Sequence, residues 1–445
     1  MGRKSHPDSA GGKQHRDQSP KQTRGFARGH GVHHNHRRGK DAPHRLGTGR
    51  DRTVEGTRTK IFSRMSDDIL SDLNNTEKTA TLERRLKELG QADGYGAKLD
   101  GVTARGIVVT VRKGNFLTKM LTPPPLDQGV DSMIPVSAAP AWQTGGILRT
   151  FVRGTLQQFD LGLSSIVAPG DEIEMIVPPI TGATELFQQG LHAILTGVLP
   201  RKNEFRRLHP SGQSVQTLAA NVDRVYVVAS THEPNFRPGF VDRVMVCAAA
   251  SNLPVSLILN KIDLGLKPQD DELLAVYRSL GIAVYKISAR DPLSPQGDIA
   301  ALKHEMAGIR SVLTGHSGVG KSTLLLALDS TLSEELIRTG EVSTQTGKGT
   351  HTTTHARLFS LNLGSGIHAE VVDTPGVREF TPADTDRRNL WGWFPELVHL
   401  QGQCAFADCT HTVEKECAVL AAVERGEIHP RRHESYVRIY KTLPN

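Results

Sequence analysis

The sequence predicts a parallel α/β protein that is preceded by a small β-barrel and followed by a mainly helical metal-binding module. From about residue 190 onward, apolar β-type runs alternate with helical stretches, as a parallel sheet requires. Before that point, short β-type runs separated by turns extend from about 98 to 180. Near the C-terminus, three of the four cysteines lie close together. At roughly 150 residues per domain, 445 residues suffice for about three domains.

The N-terminal segment is the basic part of the chain. Its first 60 residues contain 15 Lys/Arg against 5 Asp/Glu, seven of the 19 histidines and a single aromatic side chain, Phe26. Such a segment buries too little apolar surface to offset the entropy of ordering, so we predict a disordered, His-rich tail over 1–65. We expect the tail to contact RNA phosphates; a solvated tail and a weak metal-binding histidine tract are the alternatives. The stretch "TEKTATLERRLKEL" predicts a helical lead-in within 66–97.

The composition indicates in which cellular compartment the protein is expected. No apolar run approaches the ~18 residues that a membrane span needs, so no membrane association is expected. Four cysteines in 445 residues, three of them clustered, favour a metal site in a reducing compartment over a disulfide framework. We therefore expect a cytoplasmic protein.

The segment 98–185 is predicted to be a β-barrel. Its runs "ARGIVVTVRKGNFLTKML", "GGILRTFVRGTL" and "GDEIEMIVP" alternate apolar and polar residues between Gly-rich breaks. An OB-fold suits this size and would provide a nucleic-acid-binding face; a purely structural β-module is the alternative.

A phosphate-binding loop is predicted at "GHSGVGKS", between the β-type run "IRSVLTG" and the helical run "TLLLALD". Glycines let the backbone wrap around phosphates, the helix N-terminus points N–H groups at the anion, Lys321 adds a positive charge, and Ser322 can ligate Mg²⁺. A Gly-rich turn without a ligand is the alternative. The residues expected to bind nucleotide here are Gly315, His316, Ser317, Gly318, Val319, Gly320, Lys321, Ser322 and Thr323.

A second phosphate-side motif is "VVDTPG", about fifty residues further on. Asp373 follows an apolar run, where a carboxylate would hold Mg²⁺, and the N–H of Gly376 could contact the γ-phosphate. An ordinary strand-to-loop turn is the alternative.

The stretch "NKID" predicts the identity of the base. Guanine presents two neighbouring donors that the carboxylate of Asp263 can accept together, whereas adenine presents no such pair, so GTP is favoured over ATP. Asn260 can bond the purine edge, Lys261 can lie over the base and brace the phosphate loop, and Ile262 completes the motif. Ser288 and Ala289, at the end of another β-type run, offer a backbone N–H to guanine O6.

The order of these motifs is unusual, because the base-reading motif precedes the phosphate loop. A site assembled at one edge of a sheet depends on where the strands lie and not on which comes first. A circular permutation joins the old ends and opens the chain elsewhere. We therefore predict a circularly permuted P-loop GTPase domain over 190–385.

The last segment, 386–445, contains "CAFADCTHTVEKEC". Cys404, Cys409, His411 and Cys417 would fill a tetrahedral Zn²⁺ and leave no open position, which is typical of a structural site. A buried cysteine cluster without metal is the alternative. The run "AVLAAVERGEIHPRRHESYVRIYKTL" predicts a helix whose basic face contacts phosphates or is solvated.

The combined order NKID, SA, GHSGVGKS, "GKGTHTTT", DTPG and the Cys/His cluster resembles the circularly permuted bacterial GTPases of the RsgA (YjeQ) family, from about residue 98 to 440. The resemblance implies an N-terminal OB-fold, a permuted GTPase domain, a zinc domain and a role in late maturation of the small ribosomal subunit, with GTP hydrolysis accompanying release. The basic tail and the insertion "LTPPPLDQGVDSMIPVSAAPAWQ" depart from the family pattern.

Hydrolysis also requires a positioned water. Val377, which follows Gly376 where Ras-like proteins have glutamine, offers no polar group. In "GTHTTT", His351 can hold a water beside Thr352 and Thr353, which could cap Mg²⁺ and the γ-phosphate, and the family resemblance indicates the same histidine. A solvent-facing loop histidine is the alternative, and His316 is a second candidate.

The sequence therefore predicts a GTP hydrolase that acts as a timed binding module on the small ribosomal subunit and its rRNA. The expected cofactors are Mg²⁺ with GTP and one structural Zn²⁺, and a monomer is expected. Two alternatives remain: a GTP-dependent RNA or nucleoprotein remodeller with a non-ribosomal client, and a P-loop ATPase or kinase in which NKID is coincidental.

Overall fold

The computed structural model describes the chain in nine segments. These are residues 102–112, 115–122, 144–152, 167–177, 193–208, 215–333, 356–374, 380–383 and 385–443. The tail 1–65, the helical lead-in 66–97, His351, Thr352, Thr353 and Gly376 lie outside the described residues. None of the described helices is long and apolar enough to cross a membrane.

Six strands form the sheet of the nucleotide domain. They are β8 (Arg224–Ser230), β9 (Val255–Asn260), β10 (Ala283–Lys286), β11 (Arg310–Gly315), β12 (Arg357–Gly364) and β13 (Ile367–Asp373), in the spatial order β10-β9-β8-β11-β13-β12. All neighbours are parallel except β12, which pairs antiparallel with β13. The chain builds outward from β8 to β10, returns to place β11 beside β8, and then builds the other side.

This topology realises the predicted permutation. The strand that ends in the phosphate loop, β11, lies in the middle of the sheet although it is fourth in chain order. Its carboxyl end lies beside that of β8, where the direction of strand addition reverses. Ligands of open α/β sheets bind at such a reversal.

Helices cover both faces of the sheet. They are α1 (Pro238–Ala250), α2 (Pro268–Ser279), α3 (Ile299–Met306) and α4 (Lys321–Leu328), with a 3-10 turn at Ile262–Leu264. Alternating strand residues separate two cores: Val225 and Val227 pack with α1 and α2, whereas Tyr226 and Val228 pack with α3 and α4. Strands buried on both faces explain the nearly continuous apolar runs of the sequence.

The N-terminal strands close a five-stranded barrel. They are β1 (Val102–Arg112), β2 (Asn115–Thr122), β3 (Ile147–Phe151), β4 (Glu172–Val177) and β5 (Ala193–Val198). Their order β1-β2-β3-β5-β4, with β4 also paired to β1, closes the barrel. Only the β3–β5 pair is parallel, and a five-stranded barrel with non-sequential neighbours is the OB-fold arrangement.

The barrel extends further along the chain than its predicted end at 185. Strand β5 lies beyond that residue, inside the segment assigned to the nucleotide domain, and it pairs with β3 and β4. The apolar run "AILTGV" carries no local sign of which neighbour it will pair with. The boundary therefore has to move past Val198.

A hairpin joins the barrel to the nucleotide domain. Its strands are β6 (Glu204–Leu208) and β7 (Val215–Ala220). Phe205 of β6 stacks on Phe380, with ring centroids 5.5 Å apart, and the amide of Leu208 donates to the carbonyl of Thr381 at 2.9 Å. The hairpin thus packs on the chain that follows the DTPG motif.

The C-terminal module is mainly helical, with a 3-10 turn at Leu390–Trp393 and helices α5 (Pro395–Val398), α6 (Ala418–Glu424) and α7 (Pro430–Tyr440). The single long helix suggested by the sequence is in fact two helices. Gly426 between them has φ 75°, a left-handed value that ends a helix, and Pro430 opens the next one. The apolar core of the module includes Leu390, Phe394, Val419 and Ile439.

Candidate functional site

The phosphate loop connects β11 to α4 and requires glycine at three positions. A Cβ on Gly315 would lie 2.3 Å from the carbonyl oxygen of Val228, because β8 and β11 are neighbours at this edge. Gly318 and Gly320 have φ values of 85° and 92°, which side chains rarely allow. The glycines of the motif therefore fit both the backbone conformation and the close contact with β8.

Lys321 is oriented back along its own loop. Its ammonium donates to the carbonyls of Gly315 at 3.0 Å and His316 at 3.4 Å, and the residue is 9% exposed. The positive charge thus lies among loop carbonyls at the N-terminus of α4, which is where phosphates bind. Ser322 is half-buried in the first turn of α4, Ser317, Gly318 and Thr323 are exposed, and Val319 packs in the core on the α3/α4 face of the sheet.

Asp373 ends β13, next to the phosphate-loop strand. Its backbone is paired with Leu313 of β11, and the residue is 3% exposed. The next residue, Thr374, donates its amide and its hydroxyl to the carbonyl of Leu313, at 3.0 and 3.1 Å. These contacts hold the start of the DTPG loop against β11. A carboxylate and a serine hydroxyl are oxygen ligands of the kind that Mg²⁺ prefers, so the donor set fits this ion.

Asn260 links three parts of the site. Its amide nitrogen donates to the carbonyl of Val319 at 2.9 Å, and its amide oxygen accepts from the backbone N–H groups of Lys261 at 2.8 Å and Ala289 at 3.0 Å. Both acceptor positions of the amide are therefore used, and the second N–H of the amide has no partner among the described residues. Asn260 thus ties the phosphate loop to the base-reading loop, a role beyond the predicted contact with the base.

Asp263 lies in the 3-10 turn and is exposed, so its carboxylate is accessible to a ligand. The preceding residues hold the turn in place: Ile262 donates its amide to the carbonyl of Ile287 at 3.2 Å, and Thr231 donates its hydroxyl to the carbonyl of Lys261 at 2.6 Å. Lys261 itself has φ 64°. The turn is thus supported by β8 and β10 together.

The ammonium of Lys261 donates to the carbonyl of Glu233, in the loop that follows β8. Burial lowers the pKa of Lys261. Pro234 and the Glu233 carbonyl lie 3.5 and 3.7 Å from where a Cβ of Gly318 would be. Lys261 therefore contacts the phosphate loop through the loop after β8, a segment that no sequence motif marks.

Ser288 and Ala289 are buried after β10. The Ser288 hydroxyl accepts from the amide of Asp291 at 3.2 Å, and the Ala289 amide donates to Asn260. The SA segment thus lies beside the base-reading motif, at the same sheet edge as predicted.

His316 packs against the ring of Phe240 from α1, with ring centroids 4.2 Å apart. Burial, with the positive charges of Arg237 and Lys321, lowers the pKa of His316 to about 4. The imidazole is therefore neutral at physiological pH and occupied by an aromatic contact. The ring contact with Phe240 constrains the His316 side chain, and His351 remains the predicted residue that positions water.

The four predicted metal ligands converge in the C-terminal module. Their ligand atoms all lie within 4.8 Å of one another. The sulfurs of Cys404 and Cys417 are 3.9 Å apart, and each lies 3.5 Å from His411 Nδ1. A tetrahedral zinc ion with bonds of about 2.3 Å to sulfur separates two sulfurs by about 3.8 Å. These distances are compatible with ligation of one Zn²⁺ by the four residues.

Burial raises the pKa of the Cys409 thiol to about 12 and also raises that of Cys417, while it lowers the pKa of His411. Without a cation these groups are neutral thiols and a neutral imidazole. A bound Zn²⁺ would supply the positive charge that makes buried thiolates favourable. The cluster has the chemistry of a metal site and not of a disulfide.

Comparison with known proteins agrees with this geometry. The family model described as RsgA GTPase matches residues 198–382. The Small ribosomal subunit biogenesis GTPase RsgA of Chlorobaculum parvum is 39% identical over 282 residues, which is 63% of this chain and 86% of that protein. The chain belongs to the RsgA GTPase family. A second relative, the Small ribosomal subunit biogenesis GTPase RsgA 2 of Bacteroides thetaiotaomicron, is 32% identical over 66% of this chain and 90% of its own length.

A solved structure also matches. The crystal structure of YjeQ from Thermotoga maritima is similar with a TM-score of 0.50 and 27% identity, and the match covers 76% of this chain and 98% of that one. The predicted resemblance is therefore confirmed. As an RsgA-family GTPase, the protein hydrolyses GTP, and Mg²⁺ is the ion that accompanies the nucleotide.

The geometry of this RsgA-family protein suits several parts of that reaction. Lys321 and the loop amides would bind the phosphates, Asp263 would orient the base, and Ser322 with Asp373 would hold Mg²⁺, which would offset charge on the transferring phosphoryl group. Because Asn260 joins the two loops, it would hold the base and the phosphates in one relative position.

The metal module is joined to the GTPase domain by a buried arginine. Arg432 of α7 is 3% exposed; it pairs with Asp242 of α1 and donates from Nε and Nη2 to Glu396 at 2.6 and 3.1 Å. Tyr277 of α2 donates to Asp242 at 2.8 Å. Arg431, the neighbouring residue of α7, lies 3.7 Å from Asp270 of α2. Part of the basic surface that was expected to be solvated or bound to phosphate therefore pairs with carboxylates of the GTPase domain.

Proposed function

We propose that this protein binds the small ribosomal subunit, assists its late maturation, and leaves when GTP is hydrolysed. The observation that carries the proposal is the 39% identity to the Chlorobaculum parvum small ribosomal subunit biogenesis GTPase across 86% of that relative. The match spans 282 residues, which is more than the segment 198–382 that the family model covers, so it favours a shared client over a shared reaction alone.

The architecture supports the same function. A five-stranded barrel of OB type is a common platform for single-stranded nucleic acid, and here it is joined to a GTPase domain. We propose that rRNA is its ligand and that the basic tail adds nonspecific attraction to the phosphate backbone.

We further propose one structural Zn²⁺ per chain at the cluster of Cys404, Cys409, His411 and Cys417, a monomeric protein, and a cytoplasmic site of action. The residue groups proposed for GTP are those of the phosphate loop, the NKID turn and the SA segment. Thr352, Thr353 and Gly376 are proposed to contact Mg²⁺ or the γ-phosphate.

Sedimentation with purified small subunits tests the proposed client. We expect the protein to pellet with small subunits in the presence of a non-hydrolysable GTP analogue and to remain in the supernatant with GDP. We also expect its GTPase rate to rise with small subunits and not with the same mass of bulk RNA. Equal stimulation by bulk RNA would favour a remodeller with another client, and selective competition by ADP would favour an ATPase.

His351→Ala tests the proposed catalytic residue. Phosphate and base contacts come from other residues, so we expect GDP affinity to stay within about twofold of the original. Turnover on saturating small subunits should fall by roughly 10²-fold, as for loss of a water-positioning group. The GTP-bound protein should then accumulate on the subunit, because hydrolysis precedes release.

His355→Ala is the matched control, since it removes the other histidine of the same segment. Normal turnover of the His351→Ala protein would contradict the assignment. Slow turnover with normal release would keep His351 catalytic but contradict the coupling of hydrolysis to departure.

A further inference from the structure

The barrel and the GTPase sheet are continuous at one point. Barrel strand β1 pairs antiparallel with β12, with Thr110 opposite Arg357. This pairing makes eleven of the thirteen described strands one sheet. The join lies at the first residue of β12, which directly follows the segment that contains the predicted catalytic His351.

Strand β1 is buried on both of its faces near this join. Val108 packs inside the barrel, whereas Ile107 and Val109 pack into the core of the GTPase domain with Leu358 and Val372. A shift of β1 in response to a ligand on the barrel would therefore displace side chains of the GTPase domain, because close-packed interiors transmit strain.

Thr110 makes the polar contact at the join. Its hydroxyl donates to the carbonyl of Ala356 at 2.9 Å, and the residue is 5% exposed. The bond is partly buried, so breaking it would leave the Ala356 carbonyl with reduced access to a replacement partner. Thr110 therefore fixes the backbone at the start of β12.

The residues paired across the strands from Thr110 lead to Asp373, the carboxylate proposed to hold Mg²⁺. Arg357 is opposite Asp373, and Asp373 is opposite Leu313 of the phosphate-loop strand. Thr110 thus lies in a cross-strand row that ends beside the phosphate loop. The barrel makes a second contact with β12, in which the Lys119 ammonium donates to the Ser360 hydroxyl at 2.9 Å. This hydrogen bond is exposed to solvent, so we expect it to contribute little to the coupling.

We propose that Thr110 is a positioning residue for GTP hydrolysis, acting from the barrel through the Ala356 carbonyl on the chain that begins β12. It touches neither nucleotide nor metal. Its hydroxyl holds the backbone between the His351 segment and the Asp373 row, and so links the state of the barrel to the rate of hydrolysis. The inference rests on the GTPase activity of the family and not on the proposed ribosomal client.

Thr110→Val removes the hydroxyl while keeping the shape of the side chain. We expect single-turnover hydrolysis of bound GTP, without any partner, to slow about tenfold, and stimulated kcat to fall at least as much. GDP Kd and the KM for GTP should stay within about twofold, since the phosphate and base contacts are untouched. Thr110→Ser keeps the donor and should restore the rate.

Thr118→Val is the matched control, because Thr118 is a fully buried barrel threonine whose hydroxyl pairs with that of Thr150 at 2.9 Å, inside the barrel. It should hydrolyse GTP at the original rate. An unchanged rate for Thr110→Val, an equal loss in Thr110→Ser, or an equal loss in Thr118→Val would each overturn the proposal. If small subunits fail to stimulate even the original protein, the proposed client is wrong, whereas the partner-free rates still decide the role of Thr110.

Discussion

The Asp263→Asn protein is expected to lose GTP affinity by about 10²-fold or more. In the proposed complex, guanine N1–H and the 2-amino group would both donate to this carboxylate, and each charge-assisted hydrogen bond is worth about 1.5–3 kcal/mol. Asparagine replaces one acceptor by a donor, so one guanine N–H faces another N–H. The same change suits xanthine, whose C2 carbonyl can accept from the new amide. We therefore expect affinity for xanthosine triphosphate to rise as affinity for GTP falls.

The structure indicates that this effect will be local. Asp263 is exposed, and its turn is held by backbone bonds from Ile262 and to Lys261 that the substitution leaves intact. The melting temperature should therefore stay close to the original.

Because the base is the same in the diphosphates, titration with fluorescent GDP and with xanthosine diphosphate measures the affinities for guanine and xanthine nucleotides. Asp291→Asn is the control, because Asp291 is an exposed carboxylate of the neighbouring SA loop that lies outside the NKID motif. Unchanged GDP binding by the Asp263→Asn protein would remove Asp263 from the site.

Replacement of Cys417 by serine is expected to release the metal and unfold the C-terminal module. In small zinc modules the binding free energy, about 10–16 kcal/mol for isolated fingers, is largely folding free energy. Cys417 is the residue that precedes the first turn of α6, and its cluster lies against α7, where Tyr436 donates to the carbonyl of Thr410 at 2.9 Å. Loss of the ion should therefore release both helices. Nucleotide affinity should persist, because every described contact of the phosphate and base loops lies in the GTPase domain.

Elemental analysis and tryptophan fluorescence provide the measurements. Trp391 and Trp393, two of the three tryptophans, pack against the core of the module, so its unfolding should shift the emission to longer wavelength. Cys247→Ala is the control, since Cys247 lies in α1 outside the cluster and its loss should leave one zinc per chain. Absence of zinc from the original protein purified without chelators would count against the site, as would full zinc content after Cys417→Ser.

Sequence reasoning located the motif residues because each motif depends on a few neighbours along the chain. The phosphate loop needs glycines before a helix, and the metal cluster needs four donors within a short segment. Strand β12 was not predicted, although "LFSLNLG" alternates apolar and polar residues, because no functional motif lies within it. The loop after β8 that receives the Lys261 ammonium carries no pattern at all.

The sequence by itself predicted the chemistry of this protein: the base it selects, the loop proposed to bind phosphate, the proposed ligand set for metal, and the permuted order of these parts. Only the tertiary structure decided where the parts meet. Strand β5 belongs to the barrel because it pairs with β3 and β4, and Asn260 joins two loops that follow different strands. The ring of Phe240 packs against His316, and the Thr110 hydroxyl bonds the Ala356 carbonyl across a domain boundary. Motifs can be recognised in the linear sequence because the ligand requires particular side-chain types at fixed spacings. Pairings between distant segments depend on packing and on backbone partners, which leave no local pattern in the chain.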